Sequence, residues 1–159
     1  MGLAAALLPI NPLAVHAGAV TEKEIGLVQQ WVDVRSRVGY AVWKSVGRSA
    51  WGGARVLVWN SLEHSLERDM VDNVANSVWG SVNKDDSAMD SVRVSLWDGV
   101  WAYMSSLFPG IAKWQGHPEG VNPFQPCIDL WHAGFVPSFD GKIWRLHAGE
   151  KAEIVWSSE

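Results

Sequence analysis

Apolar residues recur at every fourth position along Val34–Val82, and this four-residue beat dominates the chain. The beat pauses at the polar stretch Asn83–Asp86 and resumes, shifted by two positions, along Ala88–Met104. A serine often precedes a beat position and a tryptophan often follows it. Such regularity is typical of a scaffold or an extended surface rather than of an asymmetric catalytic pocket. The beat positions are Val34, Val38, Val42, Val46, Ala50, Ala54, Val58, Leu62, Leu66, Met70, Val74, Val78, Val82, Ala88, Val92, Leu96, Val100 and Met104.

The beat favours helix over strand. In an α-helix four residues turn through about 400°, so the apolar stripe drifts by about 40° per beat. The tract should therefore divide into several helices of a few beats each, or form one long right-handed coil. A strand would also gather the beat on one face. That face would then include charged residues such as Lys44, Arg48 and Asp72, whose burial is costly.

Local signals place the ends of these helices. Thr21 and Glu24 form a capping box, which predicts that the first helix begins at Thr21. Asp86 is the expected cap of a last helix over Ser87–Leu107. We expect breaks at Gly52–Gly53, Asn83–Asp86 and Pro109–Gly110, and hence three or more helices.

The sequence pattern changes after Pro109, where the beat stops and proline and glycine become frequent. Pro126 and Gly134 bound a short helix over Pro126–Ala133. Asp140–Gly141 is a hairpin signal between apolar, alternating segments, which predicts a small antiparallel meander.

The predicted fold is mainly α, a helical tetrad-repeat hairpin or small bundle, with a small C-terminal α+β module containing an antiparallel hairpin. The predicted division is an N-terminal arm at residues 1–20, a repeat region at 21–108 and the module at 109–159.

Composition narrows the class of protein. The chain has 159 residues, enough for one domain with a core, and its 11 tryptophans exceed what a small monomer readily hides. The net charge is −4, with basic residues concentrated in the first half and acidic residues after it. Basic residues of the first half fall at three different phases of the beat and line no single stripe, so no nucleic-acid partner is predicted. They are Arg35, Arg37, Lys44, Arg48 and Arg55. The lone Cys127 is interpreted as a small buried hydrophobe.

No apolar run is long enough for a transmembrane helix, while contact of a tryptophan-bearing helix with a membrane surface stays open. Residues 1–20 are apolar but lack a basic start, and Pro9 and Pro12 interrupt them. An N-terminal arm is therefore favoured over a signal peptide, and the expected location is cytoplasmic or virion-associated, with secretion as the alternative.

The Ser-Val-Trp repeat, as in Asn76–Val82, resembles tracts in uncharacterised phage and metagenomic proteins. In those proteins a similar tract precedes a C-terminal module with a recurring pattern. The resemblance covers about residues 38–156, carries no assigned activity, and implies only that the module is a recurring unit. The matching segments of the module are Ser106–Pro109, Pro123–Pro126, Asp129–Trp131, Gly134, Val136–Gly141 and Trp144–His147.

No established catalytic motif is present. The histidines and Cys127 have no metal-ligand spacing, so no metal or cofactor is predicted. Aromatic residues beside arginine and histidine suit stacking or peptide binding, although Trp131 and Trp144 could equally be the core of the module. The candidate recognition surface consists of Trp131, His132, Phe139, Trp144, Arg145 and His147.

These features predict a non-enzymatic structural or assembly protein whose tryptophan-rich helical repeats self-associate. The predicted partner is a protein, and a second copy of the chain is one candidate for it. The alternative is a binding module in which residues 109–159 form a recognition head on a helical stalk. A second alternative is an enzyme that uses His132 or His147 with Asp129 or Asp140.

Overall fold

The structure, a computed structural model, describes residues 10–49, 70–106 and 117–159, apart from the side chains of residues 36–49 and 104. This part of the chain is mainly helical and ends in a small antiparallel sheet. Its helices are α1 (Glu22–Ser49), α2 (Asp72–Trp79), α3 (Asp86–Ser106) and α4 (Gln125–His132), with a short 3-10 helix at Pro12–Ala14. Its strands are β1 (Val136–Phe139), β2 (Trp144–Ala148) and β3 (Glu153–Ser157).

The predicted capping box opens α1. The Glu24 carboxylate accepts hydrogen bonds from the Thr21 hydroxyl and, at 2.9 Å, from the Thr21 backbone N–H. The Thr21 hydroxyl in turn accepts from the Lys23 N–H at 3.3 Å. The hydrogen bond from the Thr21 side chain lowers the pKa of Glu24. The local motif therefore sets the start of the helix.

The beat forms the buried stripe of α2 and α3. Six beat residues are at most 2% exposed, and the described parts of the tract are helical rather than extended. The tryptophans that follow the beat, Trp79, Trp97 and Trp101, are less buried. The buried beat residues are Met70, Val74, Val78, Val92, Leu96 and Val100.

The helices break at the predicted polar stretch, where Asn83 and Lys84 adopt positive φ angles of 52° and 60°. The cap of α3 is Asp85 rather than the predicted Asp86. The Asp85 carboxylate accepts from the N–H groups of Ser87 (2.9 Å) and Ala88 (3.3 Å). Asp86 is the first helical residue, because the left-handed turn at Asn83 and Lys84 ends before Asp85. The predicted breaks at Gly52–Gly53 and Pro109–Gly110 lie outside the described residues.

Helix α4 lies one residue before its predicted bounds and ends at a glycine turn. Gly134 has a φ of +85°. Its N–H bonds the Trp131 carbonyl at 3.0 Å, and the Phe135 N–H bonds the Leu130 carbonyl at 2.9 Å. These two bonds are the Schellman motif. The turn delivers the chain directly into β1.

The predicted meander is confirmed, with strand order β1-β2-β3 and both pairs antiparallel. Phe139 pairs with Trp144 across the first hairpin, and Leu146 pairs with Trp156 across the second. The register of β2 and β3 shifts between Leu146 and His147, so that Val155 has no partner on β2.

One hydrophobic core joins the repeat region to the C-terminal module. Helix α3 packs on β1 and α4, and α1 packs on α4. The N-terminal residues dock on the same unit, since Leu13 is buried and the Ile10 N–H bonds the Tyr103 hydroxyl at 2.9 Å. The described residues on either side of position 108 therefore share their buried surface. In the described ranges, no helix has the length and apolar character needed to cross a bilayer.

Replacing Gly134 with alanine should destabilise the fold by about 3 kcal/mol. Left-handed backbone costs a non-glycine residue about 1–2 kcal/mol, and overpacking costs about 1–3 kcal/mol. A Cβ at Gly134 would lie 2.9 Å from the Val15 carbonyl oxygen. Gly149 is the matched control, because its φ is +74° but a Cβ there meets nothing within 4 Å. Urea unfolding should show a loss of only about 1 kcal/mol for Gly149→Ala. Equal losses for the two variants would contradict the docking of the N-terminal segment on this turn.

Candidate functional site

A groove of about 450 Å³ lies between α1 and the end of the sheet. On the helix side it is lined by Val28, Gln29 and Val32. On the sheet side it is lined by Trp144, Trp156 and residues 157–159. The floor is apolar, because Val28 and Trp144 are nearly buried, while Gln29 and Glu159 are exposed at the rim. The groove is open to solvent rather than enclosed, and its floor is apolar with few polar groups at the rim.

Arg35 holds the tryptophan wall of the groove in place. Its guanidinium carbon lies 5.5 Å from the ring centroids of both Phe139 and Trp144. These two rings stack with 4.8 Å between their centroids and 20° between their planes. The Arg35 Nε donates to Asp98 Oδ2 at 2.6 Å. Burial raises the pKa of Asp98 and outweighs the opposite effect of Arg35. The pair is thus a partly desolvated link between α1 and α3 beneath the rings.

The two edges of the sheet differ. On β1, Pro137 has no N–H to donate, and the Phe139 N–H is already bonded to the Ser95 hydroxyl of α3 at 2.9 Å. Such features protect an edge from further pairing. On β3, no element in the described ranges pairs with the outer edge. Among the residues that the structure describes, the β3 edge is therefore the open one.

The open edge and the groove meet at the end of β3. The Ser158 N–H bonds the Trp144 carbonyl at 2.8 Å, which marks 144 and 158 as a hydrogen-bonded pair. In antiparallel pairing hydrogen-bonded and non-hydrogen-bonded pairs alternate. Ser157, opposite Arg145, then directs its backbone N–H and C=O away from β2, beside the groove.

The opposite face of β2 carries a buried polar network centred on His147. Its Nε2 lies 2.7 Å from the Ser138 hydroxyl, and its Nδ1 lies 3.0 Å from the Ala152 carbonyl and 3.1 Å from the Ser77 hydroxyl. A carbonyl only accepts, so Nδ1 carries the proton and Nε2 accepts from Ser138. His147 and Ser138 are both fully buried. Burial lowers the pKa of His147 to about 4, assisted by the Arg145 charge and opposed by the Ala152 hydrogen bond.

Asp140 serves its turn, as predicted, and also pairs with Arg145. Its Oδ1 accepts from the N–H groups of Lys142 and Ile143, each at 2.8 Å. Its Oδ2 accepts from Arg145 Nη1 at 2.5 Å, and both side chains are nearly buried. Burial alone would raise the pKa of Asp140, but these hydrogen bonds, led by that from Ile143, lower it overall.

The structure separates the six predicted recognition residues. Phe139 and Trp144 are stacked beside the groove. Trp131 is buried and stacks on Tyr103, with 5.1 Å between the ring centroids. His132 is exposed and packs edge-on against the Tyr103 ring, with 6.3 Å between the centroids. Arg145 and His147 are buried in the polar contacts described above.

Of the groove residues that the predicted surface does not include, three lie on α1 and four lie at the end of β3. Arg35, Val28 and Val32 lie far along the chain from the sheet, and no local pattern connects them to it. Trp156 could have been identified from the sequence, because Ile154 and Trp156 are apolar residues at alternate positions of a predicted strand.

The carboxylates and histidines considered for catalysis have other partners. Asp129 accepts from Gln125 at 2.7 Å, and Asp140 binds Arg145. Cys127 is fully buried as predicted, and burial raises the pKa of its thiol, with the charge of Asp98 adding to the effect. Among the described residues no three histidine, cysteine or carboxylate side chains are close enough together to hold a metal ion.

Comparisons with protein-family models, with curated proteins and with solved structures found no match to this chain. The resemblance of the tetrad tract to phage and metagenomic proteins therefore stays a prediction.

Acidification should destabilise the protein through His147. Its folded pKa of about 4 lies below the ordinary value of 6.5, so the folded state favours the neutral ring. The resulting stability is complete above pH 6.5 and is lost as pH falls towards 4, by about 3 kcal/mol in total. Urea unfolding of wild type and His147→Gln across this range should show a steeper pH dependence in the wild type. Taking the difference cancels the opposite contribution of Asp98. A ring pKa near 6.5 in an NMR titration would refute the assignment.

Removing the charge of Asp140 should cost about 3 kcal/mol, because Asp140→Asn leaves the Arg145 guanidinium buried and unpaired. Asparagine keeps an oxygen for the turn, so the loss reports mainly the ion pair. Asp90→Asn is the control, since Asp90 is 80% exposed and lies 3.9 Å from Arg93. Exposed pairs contribute about 0–1 kcal/mol. Thermal or urea unfolding measures both, and similar losses would contradict the buried pairing.

Proposed function

We propose that this chain is a non-enzymatic binding module that captures an extended segment of a partner protein between α1 and the edge of β3. The observation that carries the proposal is the coincidence of the open strand edge with the apolar groove at residues 156–159. A strand edge supplies backbone hydrogen bonds to any extended peptide, and an adjacent pocket selects its side chains.

The backbone contribution comes from the last residues of β3. Ser157 offers an N–H and a C=O directed away from β2, and the chain continues along the groove to Glu159. The register shift at Val155 distorts the first half of the edge. Bulges of this kind oppose regular pairing. The proposed ligand is therefore a short segment paired beside Ser157 rather than a long strand.

The side-chain contribution comes from the groove floor. Val28 and Val32 face Trp144 and Trp156 across the groove. A large apolar side chain that enters the groove would therefore be shielded from water on both sides, by the helix and by the sheet. Burial of apolar surface is the main source of affinity in such sites, at about 25 cal/mol per Å². Arg35 keeps Trp144 stacked on Phe139, which supports a preformed wall and a lower ordering cost on binding.

This proposal corresponds to the second hypothesis from the sequence, with one change. The recognition head would include α1, because one wall of the groove belongs to it. Self-association through the repeats stays a prediction, since residues 50–69 lie outside the described part of the chain.

Selection of a random heptapeptide phage library on the full chain tests the proposal. Val32→Arg places a long charged side chain in the groove and should reduce recovery of selected clones at least tenfold relative to wild type. Val94→Arg is the matched control, because Val94 is 55% exposed on α3 and does not line the groove. Val94→Arg should recover as many clones as wild type. No enrichment on wild type, or equal recovery by both variants, would overturn the proposal.

A further inference from the structure

We infer that the captured segment carries two apolar side chains at alternate positions, separated by one residue that faces solvent. This inference rests on the proposed binding function and names the sequence pattern of its partner. It follows from the pairing register of β2 and β3 and from the unequal cover of the two faces of the sheet.

The register places the two tryptophans of the groove on one face of the sheet. Leu146 lies opposite Trp156, and Trp144 lies two positions before Leu146, so the three side chains share a face. Ser157 lies opposite Arg145 and directs its side chain to the other face. The end of β3 therefore has a tryptophan face, towards the groove, and an opposite face that carries Ser157.

The two faces are covered unequally beside this edge. On the tryptophan face, Val28 and Val32 of α1 form the opposite wall of the groove. On the other face, the side chain of Ser157 is exposed to solvent. A residue added beside the edge is therefore shielded from water only when its side chain points to the tryptophan face.

A guest strand would meet this difference through its own alternation. The guest residue paired with Ser157 shares the exposed face, because directly opposed residues of neighbouring strands point the same way. Its two neighbours lie opposite Trp156 and Ser158 and point into the groove. The pattern is the same for parallel and antiparallel guests, because successive side chains alternate in both.

Both groove-facing positions favour an apolar side chain. The first lies directly beside the partly buried Trp156 ring. The second lies over Ser158, whose short side chain is already bonded to the Trp144 N–H at 2.9 Å. The guest would lie two strand spacings, about 10 Å, from β2. A large apolar side chain and the Trp144 ring can therefore meet over Ser158.

Two uncharged peptides of identical composition, acetyl-GSWTVSG-amide and acetyl-GSWVTSG-amide, test the inference by titration into the ¹⁵N-labelled full chain. The first has its tryptophan and valine at alternate positions, and the second has them adjacent. The first should bind about fivefold tighter, because only it can place both apolar side chains in the groove. Both peptides should shift the amide signal of Ser157.

The same substitution at two places locates the effect. Val32→Arg fills the helix side of the groove and should weaken the first peptide more than the second, so that the two bind equally. Val155→Arg is the matched control, because Val155 is an exposed neighbour of Trp156 on β3 and does not line the groove. It should leave the preference for the first peptide unchanged.

The outcomes separate this inference from the proposed function. Equal binding of the two peptides, or tighter binding of the second, overturns the alternating pattern and leaves the binding function standing. Binding of neither peptide overturns the pattern alone if the heptapeptide library still enriches clones on wild type, and overturns both if it does not. A dimer that Val32→Arg dissociates would identify a second copy as the occupant and overturn the inference.

Discussion

The central constraint on this structure is that β2 is covered on both faces. All five of its residues are buried, although the strand carries an arginine and a histidine. Trp144 and Leu146 alternate with these polar residues along the strand, so one face packs apolar side chains and the other must satisfy polar ones. Burying an unpaired charge or an unbonded ring nitrogen would be costly. The fold meets this demand with Asp140 for Arg145, and with Ser138, Ser77 and the Ala152 carbonyl for His147.

This constraint also positions the candidate site. The polar network ties β1, β2 and α2 together, and the apolar face of β2 then directs Trp144 towards α1. Arg35 and Asp98 complete the arrangement by linking α1 to α3 around the aromatic stack. The groove is therefore a by-product of how three helices surround a small sheet rather than of any one motif. Its shape depends on residues whose main work is structural.

Features that depend on neighbouring residues could be predicted from the sequence. The Thr21–Glu24 cap, the break at Asn83–Lys84, the glycine end of α4 and the Asp140–Gly141 hairpin all arise from short-range hydrogen bonds and backbone preferences. The beat identified Val92, Leu96 and Val100 as core because their spacing is a helical property. The prediction of Asp86 as the cap of α3 was wrong. Both carboxylates suit the role, and the preceding turn decides in favour of Asp85.

Features that depend on distant residues could not be predicted. Arg35 and Asp98 are 63 positions apart, and nothing in either neighbourhood indicates the pairing. His147 suggested recognition because it stands near aromatic residues and an arginine, a combination that suits stacking or peptide binding on an exposed face. Helix α2 and the turn at Ala152 cover that face instead, so the same histidine became a buried structural group.

The unequal edges of the sheet limit the size of any complex it forms. Pro137 and α3 block the β1 edge of the sheet. The β3 edge of one copy therefore could not pair with the β1 edge of a neighbouring copy. Edge-to-edge stacking of copies of this sheet, as in a fibril, is therefore disfavoured.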